Sequence, residues 1–209
     1  MGVVEDDFYA RSQEIEVYLD YLTKLELRID IDVSLMATMK ASAMLMIYNL
    51  MESTVTSAIE SIYDHLREQG IAFTSVSEKL KVMVLIGAKK RNPKKLVEKM
   101  KESVLDLAVA AFERADIFSG NVDSRMIREV WDSYGISRTD GYEVDVLLEV
   151  KSARNDLAHG TKSFSDLGKS LTASELIEKF KATKTLLYCA LKDVERHILL
   201  GLVDAGAAA

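Results

Sequence analysis

Apolar positions recur at helical spacing along nearly the whole chain. The longest such pattern runs from about Ser34 to Glu68, where Met44, Ile47, Met51, Val55, Ala58 and Ile62 follow one another at steps of 3-4-4-3-4. The methionines of that stretch (Met36, Met39, Met44, Met46, Met51) read as adaptable core filler. Ahead of it, from about Glu5 to Asp30, Ile15, Tyr18, Leu22 and Leu25 share one face and acids occupy the other, with a break near Ile29–Val33. Gly70 stops the long helix. Ser75-Val76-Ser77-Glu78 has the spacing of a capping box and predicts a short helix to about Ala88. Asn92 as N-cap with Pro93 at the first helical position predicts a fourth helix, running to about Ala115 with Val97, Val104, Leu107 and Ala111 inward. A loop over Asp116–Val122 follows, then Asp123 caps a helix that ends at Gly135 and carries Trp131 inward.

After a second loop, Ser137–Gly141, the sixth helix places Val146, Val150, Ala153 and Leu157 at i, i+4, i+7 and i+11 and is stopped by Gly160. Thr161–Gly168 reads as a polar linker. Thr172-Ala173-Ser174-Glu175 is a second capping box, opening a final helix with Ile177, Phe180, Leu187, Leu191, Val194 and Ile198 toward the core. No strand alternation of useful length and no internal repeat is present. The pattern predicts an all-α, single-domain bundle of about six or seven helices over residues 1–205, with 206–209 an appended tail of no periodic role.

Composition agrees with a globular chain: 209 residues, 48% hydrophobic, 29% charged, one proline. Cys189 is the single cysteine, so neither a disulfide nor a zinc framework forms within the chain, and a reducing, cytoplasmic setting is expected. The acidic start is unlike a secretory leader, and the uncharged run Ala41–Met51 is too short for a bilayer, so no membrane partner is expected. His65 beside Asp64 lacks a third ligand at metal spacing, and His197 reads as a surface residue near a helix end; no metal or cofactor is expected. Neither G-x-x-x-x-G-K-[ST] nor G-x-S-x-G occurs.

Net charge is −6, which argues against coating nucleic acid by electrostatics alone, but the charge is uneven. Residues 1–70 hold five Lys/Arg against thirteen Asp/Glu, whereas residues 71–115 hold ten against five. A nucleic-acid path would follow the second region, with Lys89, Lys90, Arg91, Lys94 and Lys95 as its candidates, joined by Lys151 and Lys162 farther on. No aromatic interleaves this run, so a solvated basic turn explains it equally well.

The densest polar chemistry closes the sixth helix: Lys151-Ser152-Ala153-Arg154-Asn155-Asp156-Leu157-Ala158-His159-Gly160. An ordinary helix stop accounts for part of it, since Gly160 suits the left-handed C′ position and His159 the negative end of the dipole. On an ideal helix Asn155 and His159 lie nearly opposite the apolar stripe and Arg154 borders it. Leu148 falls on the Asn155/His159 line and Leu147 beside Arg154, so an apolar second face suggests a second partner. Arg154 and His159 point roughly 140° apart. One copy converges poorly on a single phosphate, and either an unwound last turn or a symmetric second chain would bring such groups together.

Arg154-Asn155-Asp156-Leu157-Ala158-His159-Gly160 resembles the R-N-x-L-A-H-G signature of the HEPN superfamily (higher eukaryotes and prokaryotes nucleotide-binding domain). Leu45-Met46-Ile47-Tyr48-Asn49-Leu50-Met51-Glu52-Ser53-Thr54, the segment Ser119–Arg125 and the final helix are similar to bacterial members, so the likeness spans most of the chain loosely and one motif closely. The resemblance implies a homodimeric, metal-independent endoribonuclease with a composite site, a toxin or antiviral-defence effector held by an antitoxin or regulatory protein. The chemistry of the residues suits that expectation. Attack of a 2′-hydroxyl on the next phosphate needs proton transfer, for which His159 is the candidate, and charge stabilisation, for which the Arg154 fork is. Asn155 would orient the phosphate or the imidazole; Glu52, Asn49 and Asp156 are supporting candidates, with plain exposed polarity as the other reading of the first two. The competing function is a non-catalytic HEPN module that binds a partner protein or nucleotide.

Overall fold

The computed structural model describes residues 1–28, 30–103, 106–118, 120–139 and 145–202. The expected break at Ile29, the inward Val104, the end of the 137–141 loop, and the tail 206–209 lie outside the described residues.

Helix α1, Gly2–Glu26, lays Phe8, Ser12, Ile15, Leu19 and Leu22 against the core. The reason is the 3-4 spacing of those positions, with Tyr18 and Leu25 flanking the buried stripe. Helix α2, Val33–Gln69, is the axis of the molecule. Asp32 caps it by accepting from the Ser34 and Leu35 N–H groups, and Gly70 ends it in the left-handed region at φ 62°. Every residue of the predicted 3-4-4-3-4 stripe is buried. By length and composition α2 would suffice to cross a membrane; here protein covers it, because α1, α5, α7, α8 and α9 all pack on it.

The middle of the chain differs most from expectation. A 3-10 turn at Phe73–Ser75 precedes α3, Glu78–Lys89, whose N-cap is Ser77 and makes no side-chain cap bond, so the Ser75 capping box is not formed. Asn92 and Pro93 do start α4, Pro93–Ser103, with the Asn92 side chain accepting from the Lys94 N–H at 3.0 Å. The expected continuous helix to Ala115 is instead interrupted. Asp106 caps a new four-residue helix, α5 (Leu107–Ala110), accepting from the Ala108 N–H at 3.0 Å while also holding the Phe73 N–H at 2.8 Å. Ala111 is buried as expected, but Val97 is half-exposed, because α4 packs chiefly on α5, at the margin of the main bundle.

Helix α6, Ser124–Tyr134, runs from its Asp123 cap to Gly135 at φ 78° and buries Trp131 completely. Helix α7, Asp145–Ala158, buries Leu147, Val150 and Ala153. Leu147 therefore belongs to the core rather than to a second apolar face; the buried face is rotated toward Arg154, and Leu148 alone stays exposed opposite it. The expected linker is a helix too: α8, Phe164–Lys169, is capped by the Ser163 hydroxyl accepting from the Asp166 N–H. Its Gly168 lies directly on the α2 backbone, where a Cβ would come within 1.7 Å of the Ala37 carbonyl oxygen. Helix α9, Ala173–Leu200, opens with the Thr172/Glu175 capping box made in full. The Ala173 N–H donates to Glu26 at 3.0 Å, tying its start to the end of α1. His197, expected on the surface, is buried against Gly201 because its turn of α9 faces inward. The chain is thus all-α as expected, with nine α-helices rather than six or seven among the described residues; the additional ones are the short α5, separated from the expected fourth helix, and α8.

Candidate functional site

Val150 and Ala153 fix α7 against α2, and the next residue, Arg154, is drawn onto α2 with them. Its guanidinium lies 5.1 Å from the centre of the fully buried Tyr48 ring, a cation–π contact. The Arg154 Nη1 also donates to the Asn155 side-chain oxygen at 3.0 Å. The third wall is Gly120, at φ 73°, where a Cβ would stand 2.8 Å from Arg154 Nη2. Only glycine admits both that backbone conformation and so close a guanidinium. Gly120 is in turn held by Glu52, whose Oε1 accepts its N–H at 3.0 Å, and the Tyr48 hydroxyl accepts the Val122 N–H at 3.3 Å. Two α2 side chains one turn apart thus clamp the segment before α6, and the guanidinium fills the angle between them. Burial pushes the Tyr48 phenol up, which keeps it a neutral hydrogen-bonding group.

One turn on, the helix stops as its sequence dictates. The Gly160 N–H donates to Leu157 and the Thr161 N–H to Asp156, with Gly160 at φ 67°, the paired bonds of a Schellman end. His159 occupies the cap and is exposed. Arg154 is therefore directed inward along α2 while His159 stands outward at the helix end, and Leu148 is 51% exposed on the outer side of the same helix. Asp156 belongs to neither group: it pairs with Lys162 at 2.7 Å, on the side facing α8 and α9.

The supporting candidates divide in the same way. Glu52 is part of the Arg154 arrangement through Gly120, and Asn49, exposed one turn earlier, lines the open trough that Glu52 closes. Of the basic candidates, Lys151 is tied to the buried Asp123 at 2.6 Å, so it holds α7 to the cap of α6. Burial alone would raise the Asp123 carboxyl, but Lys151 and the Met126 N–H hold it below the usual carboxylate range. Arg91 is turned onto Asp116 and Glu113, and Lys90 faces Asp116 at 3.7 Å. Lys89, Lys94 and Lys95 are exposed.

Sequence reasoning gave no role to Tyr48 or Gly120. The spacing of Tyr48 and Glu52 at i, i+4 is the signal in the sequence that could have paired them. Among the described residues no three His, Cys, Asp or Glu side chains gather as a metal-binding group. In comparisons with known proteins, a family model described as MAE_28990-like HEPN matches residues 3–200, which takes in α1 to α9 almost entirely. No curated protein and no solved structure matches.

Proposed function

The chain belongs to the MAE_28990-like HEPN family, and from that premise we propose that it is a metal-independent endoribonuclease that works as a homodimer in the cytoplasm. Within it, Arg154 neutralises charge on the phosphate, His159 transfers protons at the attacking 2′-hydroxyl or the leaving 5′-oxygen, and Asn155 positions the guanidinium. The family supports an RNase-like or nucleotide-binding module; the specific activity is our reading. The observation that carries it is the contrast within one helix: a guanidinium pre-set by Tyr48, Asn155 and Gly120, and an exposed imidazole five residues on, at the helix end that Gly160 stops.

A rigid cation costs little to aim at developing charge, and a histidine accessible to solvent exchanges protons readily. Acid and base catalysis together call for two such histidines, which a second copy docked across the exposed Leu148 side would supply. The products are a 2′,3′-cyclic phosphate and a 5′-hydroxyl: the 2′-oxygen bonds to phosphorus, its proton passes to a base, and the leaving 5′-oxygen takes up a proton. A toxin or antiviral-defence role, restrained by an antitoxin or regulator, fits such an activity.

The test is incubation of purified protein with mixed RNA in EDTA, followed by end-group mapping. Parent protein yields cyclic phosphate ends, and His159→Ala loses at least a hundredfold in rate, in keeping with the roughly 10²–10⁴-fold worth of general acid–base groups. The same rate in parent and His159→Ala would end this assignment. The Tyr48 packing of Arg154 favours a second reading, a non-catalytic module in which the guanidinium is structural. That reading predicts intact RNA, with Arg154→Ala lowering Tm and His159→Ala leaving it unchanged.

A further inference from the structure

Beside Glu52, on the α1 side of α2, lies an open trough of about 390 Å³, inside the range of ligand clefts, roughly 300–1,000 Å³. Asn49, Glu52 and Ser53 of α2, Arg11 of α1, and Arg114 and Phe118 line it. We propose that this trough holds the single-stranded RNA nucleotides next to the scissile phosphate, with Arg11 and Arg114 gripping the flanking phosphates and Asn49 reading a base edge. The proposal rests on the ribonuclease reading above and names the path its substrate takes.

Three observations carry it. The trough shares Glu52 with the Arg154 arrangement: the same side chain lines the hollow and accepts the N–H of Gly120, against which the guanidinium lies. Its two arginines come from distant parts of the chain, one from the acidic first third, yet flank the same hollow. Their present partners are also replaceable. Arg11 pairs with Asp7, and Arg114 pairs with Glu60 and donates to the Ser57 hydroxyl at 3.0 Å; the four charged side chains are between 35% and 49% exposed. Exposed pairs of this kind are worth about 0–1 kcal/mol, and a bidentate phosphate competes with them. Lys151 and Arg91 differ: Lys151 is 18% exposed on a 7% exposed Asp123, and Arg91 is 17% exposed on Asp116, so neither is released cheaply. Asn49 is exposed, with an amide that can donate and accept at a base edge.

The experiment measures binding apart from cutting. A fluorescently labelled, fully 2′-O-methylated RNA of eight mixed nucleotides cannot supply the attacking hydroxyl, and its anisotropy is titrated with full-length protein over a salt series. The parent binds; Arg11→Gln and Arg114→Gln each weaken binding about tenfold and lower the salt slope by about one. Glu60→Gln, which removes the carboxylate from Arg114 and leaves only its Ser57 contact, tightens binding about threefold, a gain that damaged folding would not produce. On unmodified RNA, Asn49→Ala shifts the preferred cleavage position.

No binding by the parent, or equal affinity and salt slope in both arginine variants, overturns the trough. Arginine-dependent binding with no cutting of unmodified RNA by the parent keeps the trough and ends the ribonuclease reading. Cutting with binding indifferent to Arg11 and Arg114 does the reverse.

Discussion

A single glycine decides where the Arg154 guanidinium lies. At Gly120 an alanine would need the left-handed conformation, costing roughly 1–2 kcal/mol, and its methyl would collide with Nη2. Gly120→Ala should therefore displace the guanidinium from Tyr48 and cut RNA cleavage by at least tenfold while far-UV circular dichroism stays helical; unchanged kcat would show that the guanidinium's position is not used. Gly168 is the contrasting case, a glycine whose worth lies in packing. Its Cβ would strike the Ala37 carbonyl, and overpacking usually costs about 1–3 kcal/mol, more when backbone must move. Gly168→Ala should lower Tm by several degrees through loss of α8 docking, and a melt equal to the parent's would contradict the contact. Neither glycine announces its role in sequence, because a close approach between distant segments leaves no local periodicity.

At the scale of elements, the α6 cap and the α7 position are one device. Asp123 accepts from the Met126 N–H at 2.8 Å and pairs with Lys151 at 2.6 Å. Asp123→Ala loses an N-cap worth about 1 kcal/mol and strands a mostly buried ammonium, a further penalty of about 1–3 kcal/mol. Denaturant unfolding should show a loss of that order, and the Asp123→Ala/Lys151→Met double variant should recover part of it. An additive result would mean that the two side chains do not act together. The cap was legible in sequence; its second task was not, since it depends on how α7 crosses α6. The helix stop at Gly160 was equally legible, and its Schellman bonds follow from glycine chemistry alone.

For the molecule as a whole, stability should depend on pH in two separate windows. Burial lowers the His197 pKa, and its Nε2 has no hydrogen-bond partner among the described residues. The unfolded chain then binds a proton more readily than the folded one, so this contribution is complete above the unfolded value of about 6.5 and declines as pH falls below it. Asp123 and Glu26 act lower. For each, burial would raise the pKa, but a lysine partner and a backbone N–H hold it below the usual carboxylate range. Their contribution is present above the unfolded values near 4 and is lost as pH drops through the folded ones. Tm should fall between pH 7 and 5 and again below about pH 4. His197→Gln should flatten the first step and leave the second; an unaltered first step would assign it elsewhere.

The order of long helices, the core stripe of α2, the caps at Asn92, Asp123 and Thr172, the stops at Gly70, Gly135 and Gly160, and the Arg154–His159 motif were all determined by the sequence itself. Each depends on residues within one or two helical turns, where spacing and side-chain chemistry act directly. Only the tertiary structure decided that Arg154 rests on Tyr48 beside Gly120, that Lys151 is bound to Asp123, that His197 is inside, and that Val97 is outside. Those outcomes depend on which helix faces meet. Burial and charge pairing are set by neighbours well outside one helical turn, 28 residues apart for Lys151 and Asp123, which no local pattern records.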